Sequence, residues 1–148
     1  MIRVVRLISQ AAAASLLLAV CAPVLPALAA STTSASACLD GYSGPYDLVN
    51  SYAGINLKCG DPSKGVLHIS ASHPIATNGR DDVHVDRCMD NILAYGRSVT
   101  ANPGNTAKRI TRSSGGYAQI VWDSRTKDVI TMYTSDSNNW TACAAYPN

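Results

Sequence analysis

Apolar residues recur with helical spacing in one stretch of the chain, residues 82–95. Spacings of three and four residues are the pattern of an amphipathic helix. The apolar positions are Val85, Cys88, Met89, Ile92 and Leu93. Asp81 or Asp82 can cap the start of this helix, and Gly96 suits the left-handed position past its end. We therefore predict a helix over residues 82–95 whose apolar side packs on a sheet.

The segments on either side of this helix follow different patterns. Residues 65–73 predict a short helix lined by Val66, Leu67 and Ile69, which Pro74 ends. After residue 96 the period changes to two, which predicts strands at 98–100, 107–112, 117–122 and 128–134. Helices followed by closely linked strands predict an α+β fold, with short N-terminal helices packed on a three- to four-stranded antiparallel β-meander.

Three further segments lack a regular apolar pattern. Residues 31–37 contain only Ser, Thr and Ala, which predicts a loose segment. Residues 40–65 are rich in Gly, and we interpret them as a loop with one short helix over 46–52. Residues 136–148 are expected to be irregular.

The first 30 residues differ from the rest of the chain. Arg3 and Arg6 precede an uncharged run rich in Ala, Leu and Val, and the small-residue cleavage pattern Ala27-Leu28-Ala29 or Leu28-Ala29-Ala30 completes a secretory signal peptide. Its removal leaves about 118 residues, which fit one domain. We divide the chain into a signal peptide at 1–30, a loop-rich, disulfide-tied segment at 31–64 and a helix-plus-sheet part at 65–148. The last two form one compact domain.

Localisation follows from the same segment. Past residue 30, no stretch reaches the about 20 apolar residues of a membrane helix. We therefore expect a secreted protein, extracellular or in the cell envelope, that is a monomer and makes no membrane contact after cleavage.

The chain has five cysteines, of which Cys21 lies in the signal peptide. Four cysteines in an exported domain predict two disulfides, in one of three pairings. We favour Cys38–Cys59, which closes a polar segment with little core, and Cys88–Cys143, which ties the long helix to the chain's end. On the loop-entropy model they add about 3 and about 4 kcal/mol. A zinc site is the alternative, although close Cys/His spacing is absent.

Composition excludes several classes of function. Without the signal peptide, the basic and acidic residues balance, which excludes a polycationic nucleic-acid coat and a basic membrane-surface protein. All ten acidic residues are Asp, which excludes any mechanism that needs a Glu base. Phosphate-loop, dinucleotide and zinc-protease motifs are absent, and we predict no cofactor.

Two of the three histidines, His68 and His73, lie in a His-Ile-x-x-x-His sequence. A spacing of five residues places helical side chains about 140° apart. The two therefore share one cleft only if the helix ends near Ser72, as Pro74 predicts. They are either a functional pair or two unrelated surface or capping residues. His84 opens the long helix, and we interpret it as a surface residue.

Basic and polar residues on the predicted strands complete the candidate chemistry. Lys108, Arg109 and Arg112 form the only basic cluster, in which Lys108 and Arg112 share one face of a strand and Arg109 takes the other. Thr131 and Tyr133 share one face of the last strand, which is unusual for a core and ordinary for a cleft. A cation beside a histidine suits phosphate chemistry. The alternative is a solvated strand face.

Over residues 65–135, the order of these motifs resembles the barnase–EndoU–colicin–RelE superfamily of small bacterial toxin ribonucleases. The resemblance lies in His68-Ile69-x-x-x-His73, a helix, a strand with Lys108-Arg109, and a last strand reading Val-Ile-Thr-Met-Tyr at 129–133. It implies helices before a four-stranded antiparallel sheet, and cleavage of RNA. Where the family commonly has Pro after the closing Tyr, this chain has Thr134.

RNA cleavage without a metal needs a base, an acid and a cation on the phosphate. The candidate set is His68, His73, Lys108, Arg109, Arg112, Thr131 and Tyr133. In this hypothesis the two histidines are the acid–base pair, a cation holds the phosphate, and Thr131 or Tyr133 orients it. The hypothesis predicts one cleft, where residues 67–73 meet the sheet face that carries Thr131 and Tyr133.

The competing hypothesis is a secreted, disulfide-stapled binding module or enzyme inhibitor without catalytic activity. Its partner would be a protein, either a target or an inhibitor, whereas the nuclease would bind RNA. The binding module explains the signal peptide, the disulfides and the balanced charge, since a ribonuclease gains from a basic surface. It gives no reason for the paired histidines.

Overall fold

The computed structural model describes residues 32–76, 80–113, 115–136 and 139–147, so the predicted signal peptide lies outside the described residues. Four helices and six strands occur in these ranges. The helices are α1 (Ala35–Leu39), α2 (Gly65–Ser72), α3 (Arg80–Tyr95) and α4 (Trp140–Ala144). The strands are β1 (Leu48–Tyr52), β2 (Ile55–Lys58), β3 (Arg97–Val99), β4 (Asn105–Thr111), β5 (Tyr117–Asp123) and β6 (Val129–Thr134).

The strands form two antiparallel sheets. β1 and β2 make a hairpin, and β3, β4, β5 and β6 make a four-stranded meander in sequence order. α3 packs on β4 and β5, α4 packs on α3, and α2 lies along β6. The predicted α+β fold, with helices on a four-stranded antiparallel meander and two disulfides, is confirmed.

The core lies between α3 and one face of this meander. The buried residues of α3 are those that its spacing predicts: Val85, Cys88, Met89, Ile92 and Leu93. Buried side chains of β4, β5 and β6 belong to the same cluster: Ile110, Ala118, Ile120, Trp122 and Met132. Burial of this apolar stripe is the main force that holds the helix on the sheet.

The predicted caps at the two ends of α3 are both wrong. Asp81 and Asp82 lie inside the first turn rather than before it, and Asp82 accepts hydrogen bonds from Ser36 N and Oγ of α1, both at 2.7 Å. Gly96 does not adopt a left-handed φ. A Cβ at Gly96 would lie 2.3 Å from the carbonyl oxygen of Ile92. Glycine is therefore required there by close backbone approach and not by its conformation.

Residues 46–52 do not form the predicted helix, because strand β1 occupies 48–52. The two-residue turn Ala53-Gly54, with φ of 51° and 79°, joins β1 to β2. Two consecutive positive φ values match the twist of a tight hairpin. The local sequence did not indicate a strand because the pairing partner, and not the strand's own pattern, stabilises it.

The segments predicted to be irregular contain short helices. α1 begins at the cap Ser34, whose side chain accepts the Ala37 N–H, and α4 begins at the cap Asn139, which accepts the Ala142 N–H. Each of these five-residue helices contains one half of a disulfide. A cross-link to a larger element compensates for a length that is marginal for an isolated helix.

The two disulfides are those favoured from the sequence. Cys38–Cys59 joins α1 to the residue after β2, and Cys88–Cys143 joins α3 to α4. All four cysteines are buried in the core. The zinc alternative is therefore wrong, since these thiols are consumed in covalent bonds.

Candidate functional site

The candidate site lies on the face of the meander opposite α3. Arg97 pairs with Arg109 across β3 and β4, Arg109 with Gln119 across β4 and β5, and Gln119 with Tyr133 across β5 and β6. Directly paired residues project from the same face of an antiparallel sheet. We call Arg97, Arg109, Gln119 and Tyr133 the transverse row.

His73 contacts one end of the transverse row. It is the residue at which α2 ends, with φ −136° and ψ 79°, directly before Pro74. Its ring stacks on that of Tyr133, with centroids 5.3 Å apart and planes 20° from parallel. The helix therefore ends where Pro74 predicts, and its end places an imidazole against the polar face of the last strand.

Arg109 lies at the centre of the same face. Its guanidinium carbon is 4.0 Å from the centroid of the Tyr117 ring, and its Nε and Nη2 donate to Gln119 Oε1 at 2.9 and 2.6 Å. Tyr117 in turn meets Tyr133 edge-on, with centroids 6.2 Å apart. A continuous chain of contacts therefore links the guanidinium to the imidazole of His73.

The charge of Arg109 is not neutralised by a carboxylate among the ion pairs of the described residues. Gln119 is neutral, so it fixes the guanidinium plane without reducing its charge. The remaining N–H groups of the guanidinium stay available for an anion, because Gln119 uses Nε–H and one Nη2–H. A planar, oriented guanidinium of this kind suits bidentate binding of a phosphate or carboxylate.

Thr131 lies near this chain of contacts. It alternates with Tyr133 along β6 and pairs with Val121 of β5, so it projects from the same face. It is half-buried. The predicted polar face of the last strand is therefore the face that His73 contacts.

The other predicted basic residues are engaged elsewhere. Lys108 faces α3, where its Nζ donates to the carbonyl oxygen of Leu93 at 2.6 Å and satisfies the helix C-terminus. Arg112 lies past the end of β4 and forms an ion pair with Asp136. Only Arg109 of the predicted basic cluster reaches the transverse row.

Of the two predicted histidines, only His73 contacts the transverse row. His68 Nδ1 lies 2.9 Å from the carbonyl oxygen of Pro62, in the loop that precedes α2. No described contact joins His68 to the transverse row, whereas His73 contacts Tyr133 directly. His84 lies against Thr141 of α4, consistent with a surface role.

Three residues of the site were not predicted from the sequence. Arg97, Tyr117 and Gln119 join it only through strand register, which requires knowing which residues pair. One local signal was present, because Gln119 is a polar residue within the apolar stretch of β5 and is only 7% exposed. A buried amide needs a hydrogen-bonding partner, and here that partner is Arg109.

Within the described ranges, no three His, Cys, Asp or Glu side chains come close enough together to hold a metal ion. The helices of the same ranges include none with the length and apolar character to cross a membrane.

Comparison with known proteins adds no further assignment to this geometry. No protein-family model, curated protein or solved structure matches the chain.

Proposed function

We propose that this protein is a secreted, ribonuclease-like enzyme that cleaves single-stranded RNA on the transverse row, with His73 as a proton-transfer group. The observation that carries the proposal is the continuous contact from the His73 ring through Tyr133 and Tyr117 to the Arg109 guanidinium. An imidazole, a phenol and a guanidinium can supply the base, the acid and the cation that phosphate-ester cleavage without a metal needs.

In the proposed reaction, the ribose 2′-oxygen attacks the adjacent phosphorus. His73 accepts the 2′-hydroxyl proton, since imidazole is the side chain suited to act as a base near neutral pH. A bond forms between phosphorus and the 2′-oxygen, and the bond to the 5′-oxygen breaks. The leaving oxygen takes the hydroxyl proton of Tyr133, and the proton held by His73 then returns to the Tyr133 oxygen through water, so that both groups regain their starting states. The products are a 2′,3′-cyclic phosphate and a 5′-hydroxyl.

Arg109 would bind the two non-bridging oxygens of that phosphate. Because Gln119 holds the guanidinium in one plane before the substrate arrives, little reorganisation is needed when charge builds up on the phosphate. The tyrosine rings offer stacking surfaces for unpaired bases, which favours single-stranded RNA over a duplex.

Two observations support action outside the cytosol. Both disulfides are buried within the fold, and such bonds persist in oxidising compartments. The signal-peptide pattern in residues 1–30 points in the same direction. His68, Lys108 and Arg112 have no catalytic role in this proposal.

The test is cleavage of single-stranded RNA by the purified, oxidised protein in EDTA. We expect His73→Ala and Arg109→Ala each to slow cleavage by about 10² to 10⁴, while His68→Ala, on the same helix as His73, retains wild-type activity. Thermal melting of each variant controls for loss of fold. Equal losses from His68→Ala and His73→Ala would contradict the proposal. RNA binding without cleavage by the wild type would favour the binding module instead.

A further inference from the structure

A pocket opens at the edge of the meander, where β4 extends past the first residue of β3. β3 pairs with β4 only from Ala107 to Arg109, so that Ile110 and Thr111 have no β3 residue opposite them in this register. The gap is a pocket of about 450 Å³. We call it the edge pocket, and it adjoins the transverse row because Arg97 and Arg109 line it.

Two arginines line this pocket. Arg97 and Arg109 are direct cross-strand partners, and like charges in that position destabilise a sheet. Neither forms an ion pair among the described residues. An anion bound in the pocket would therefore meet positive charge that no carboxylate among the described residues pairs with.

The pocket also has an aromatic wall. Tyr95, the last residue of α3, is 57% exposed, and its ring lies 5.9 Å from that of Tyr146, which follows α4. Both tyrosines line the pocket together with the two arginines. A planar apolar surface beside paired cations matches a ligand that carries an aromatic ring and a phosphate.

We propose that the edge pocket is a second nucleotide subsite, which binds a base and phosphate next to the nucleotide that is cleaved. This inference rests on the proposed function and specifies its substrate. The strands that carry Arg97 and Tyr133 are three spacings apart, about 14 Å, so we assign the groups bound at the two ends of the row to different nucleotides. The substrate is therefore an oligonucleotide longer than two residues, laid single-stranded along the transverse row from His73 to Arg97.

Binding can be measured apart from cleavage with 2′-O-methyl oligoribonucleotides, in which the attacking hydroxyl is blocked. Fluorescence anisotropy compares a dinucleotide with a pentanucleotide of the same base. We expect the wild type to prefer the pentanucleotide, and Arg97→Ala or Tyr95→Leu to weaken pentanucleotide binding about tenfold while dinucleotide binding changes less than about twofold. Arg125→Ala, which removes the same charge from the exposed turn between β5 and β6, is the matched control.

Cleavage kinetics separate this proposal from the proposed function. Arg97→Ala should raise KM for the pentanucleotide with kcat unchanged, whereas His73→Ala should lower kcat and retain the length preference. If the wild type cleaves no RNA, a length preference that Arg97→Ala abolishes still supports the subsite. Equal affinity for both lengths, or equal effects of Arg97→Ala and Arg125→Ala, would overturn the subsite even where cleavage is intact. Tyr95→Leu keeps the test available should Arg97→Ala fail to fold.

Discussion

Among single residues, Gln119 determines most about the geometry of the site. It is almost fully buried, and both of its described side-chain hydrogen bonds come from Arg109. A neutral amide at this position orients the guanidinium, whereas a carboxylate would also neutralise it. Replacing Gln119 by Glu would therefore neutralise the guanidinium of Arg109 while still orienting it.

We expect Gln119→Glu to keep the fold and weaken RNA binding about tenfold or more, because a bidentate ion pair with Arg109 competes with phosphate. The loss should shrink below the pKa of the new carboxyl group, which then becomes neutral like the original amide. Oligonucleotide affinity measured against pH checks this expectation. Gln119→Met serves as the comparison, since it removes the hydrogen bonds without adding charge. A pH-independent loss in Gln119→Glu would contradict it.

A second residue with unusual chemistry, Asp86, lies away from the site. It projects from α3 between Asp82 and Asp90, and its Oδ1 is buried without a hydrogen-bonding partner among the described residues. Burial first, and then the charges of Asp90 and Asp82, raise the pKa of Asp86 to about 7. Burial raises the pKa of Asp90 as well, which the hydrogen bond from Asn50 partly offsets.

This shift makes stability depend on pH in a defined direction. Between about 3.9, the unfolded pKa, and about 7 in the folded protein, the folded state binds more protons than the unfolded state. The contribution of Asp86 to stability therefore falls as pH rises through this window. Asp86→Asn should raise the free energy of unfolding at pH 8 by about 1–3 kcal/mol, after allowance for solvent screening, with little gain at pH 4. Denaturant unfolding at both pH values measures the difference, and Asp40→Asn, at an exposed carboxylate, is the control.

At the scale of elements, α3 is held by the apolar stripe that its sequence pattern shows. Ile92→Ala should cost about 2–5 kcal/mol because it leaves a cavity against the sheet. Val83→Ala, on the same helix but 58% exposed, should cost under about 1 kcal/mol. Chemical denaturation of both variants tests whether the Ile92 side of α3 faces the sheet. Equal losses of stability would contradict this orientation.

Asn91 of α3 has a structural role that the apolar spacing of the helix does not predict. Its position on the polar side predicts that truncation is nearly neutral, yet its Nδ2 donates to the carbonyl oxygens of Cys143 and Ala144, both at 3.0 Å. These bonds satisfy carbonyl groups at the end of α4. Loss of Asn91 would remove both bonds, although the Cys143 carbonyl oxygen also accepts the Tyr146 N–H, and would weaken the attachment of α4 to α3.

The elements predicted from the sequence are those whose own pattern carries the signal. α3 and the longer strands β4, β5 and β6 have apolar residues at periods near 3.6 and 2, and their apolar faces decide their position, whereas α2 is marked by the Pro74 that ends it. In the β1–β2 hairpin the alternation is confined to the four residues Ile55–Lys58, which is too short a run to predict a strand within a Gly-rich segment. α1 and α4 were missed although their caps, Ser34 and Asn139, were visible, since five residues give too short a window for periodicity.

The candidate site, too, was predicted only in part from the sequence. His73, Arg109 and Tyr133 were singled out because an imidazole, a guanidinium and a phenol can take part in phosphate chemistry. Gln119, Tyr117 and Arg97 depend on strand register, and the sequence predicted the strands without fixing which residues pair. His68 and Lys108 carry an imidazole and a cation as well, but their helix and strand turn them away from the transverse row.

At the scale of the whole molecule, the two disulfides account for much of the expected stability. The oxidised, denatured protein should show no free thiol from its four mature cysteines, as thiol titration under denaturing conditions will measure. Replacing Cys88 and Cys143 by Ser should cost about 4 kcal/mol, and replacing Cys38 and Cys59 about 3 kcal/mol, because the first pair closes the longer loop. The reverse order would indicate that poorer packing around the serines outweighs loop entropy.

The Cys88–Cys143 bond also governs how the edge pocket is assembled. Tyr146, one half of its aromatic wall, follows α4 by two residues, and α4 is fastened to α3 at the position of this bond. In a reducing compartment the fastening is absent, and the wall loses its covalent support. On the proposed function, oxidation of Cys88 and Cys143 completes the RNA-binding surface, so reduction of this one bond should weaken binding at the edge pocket.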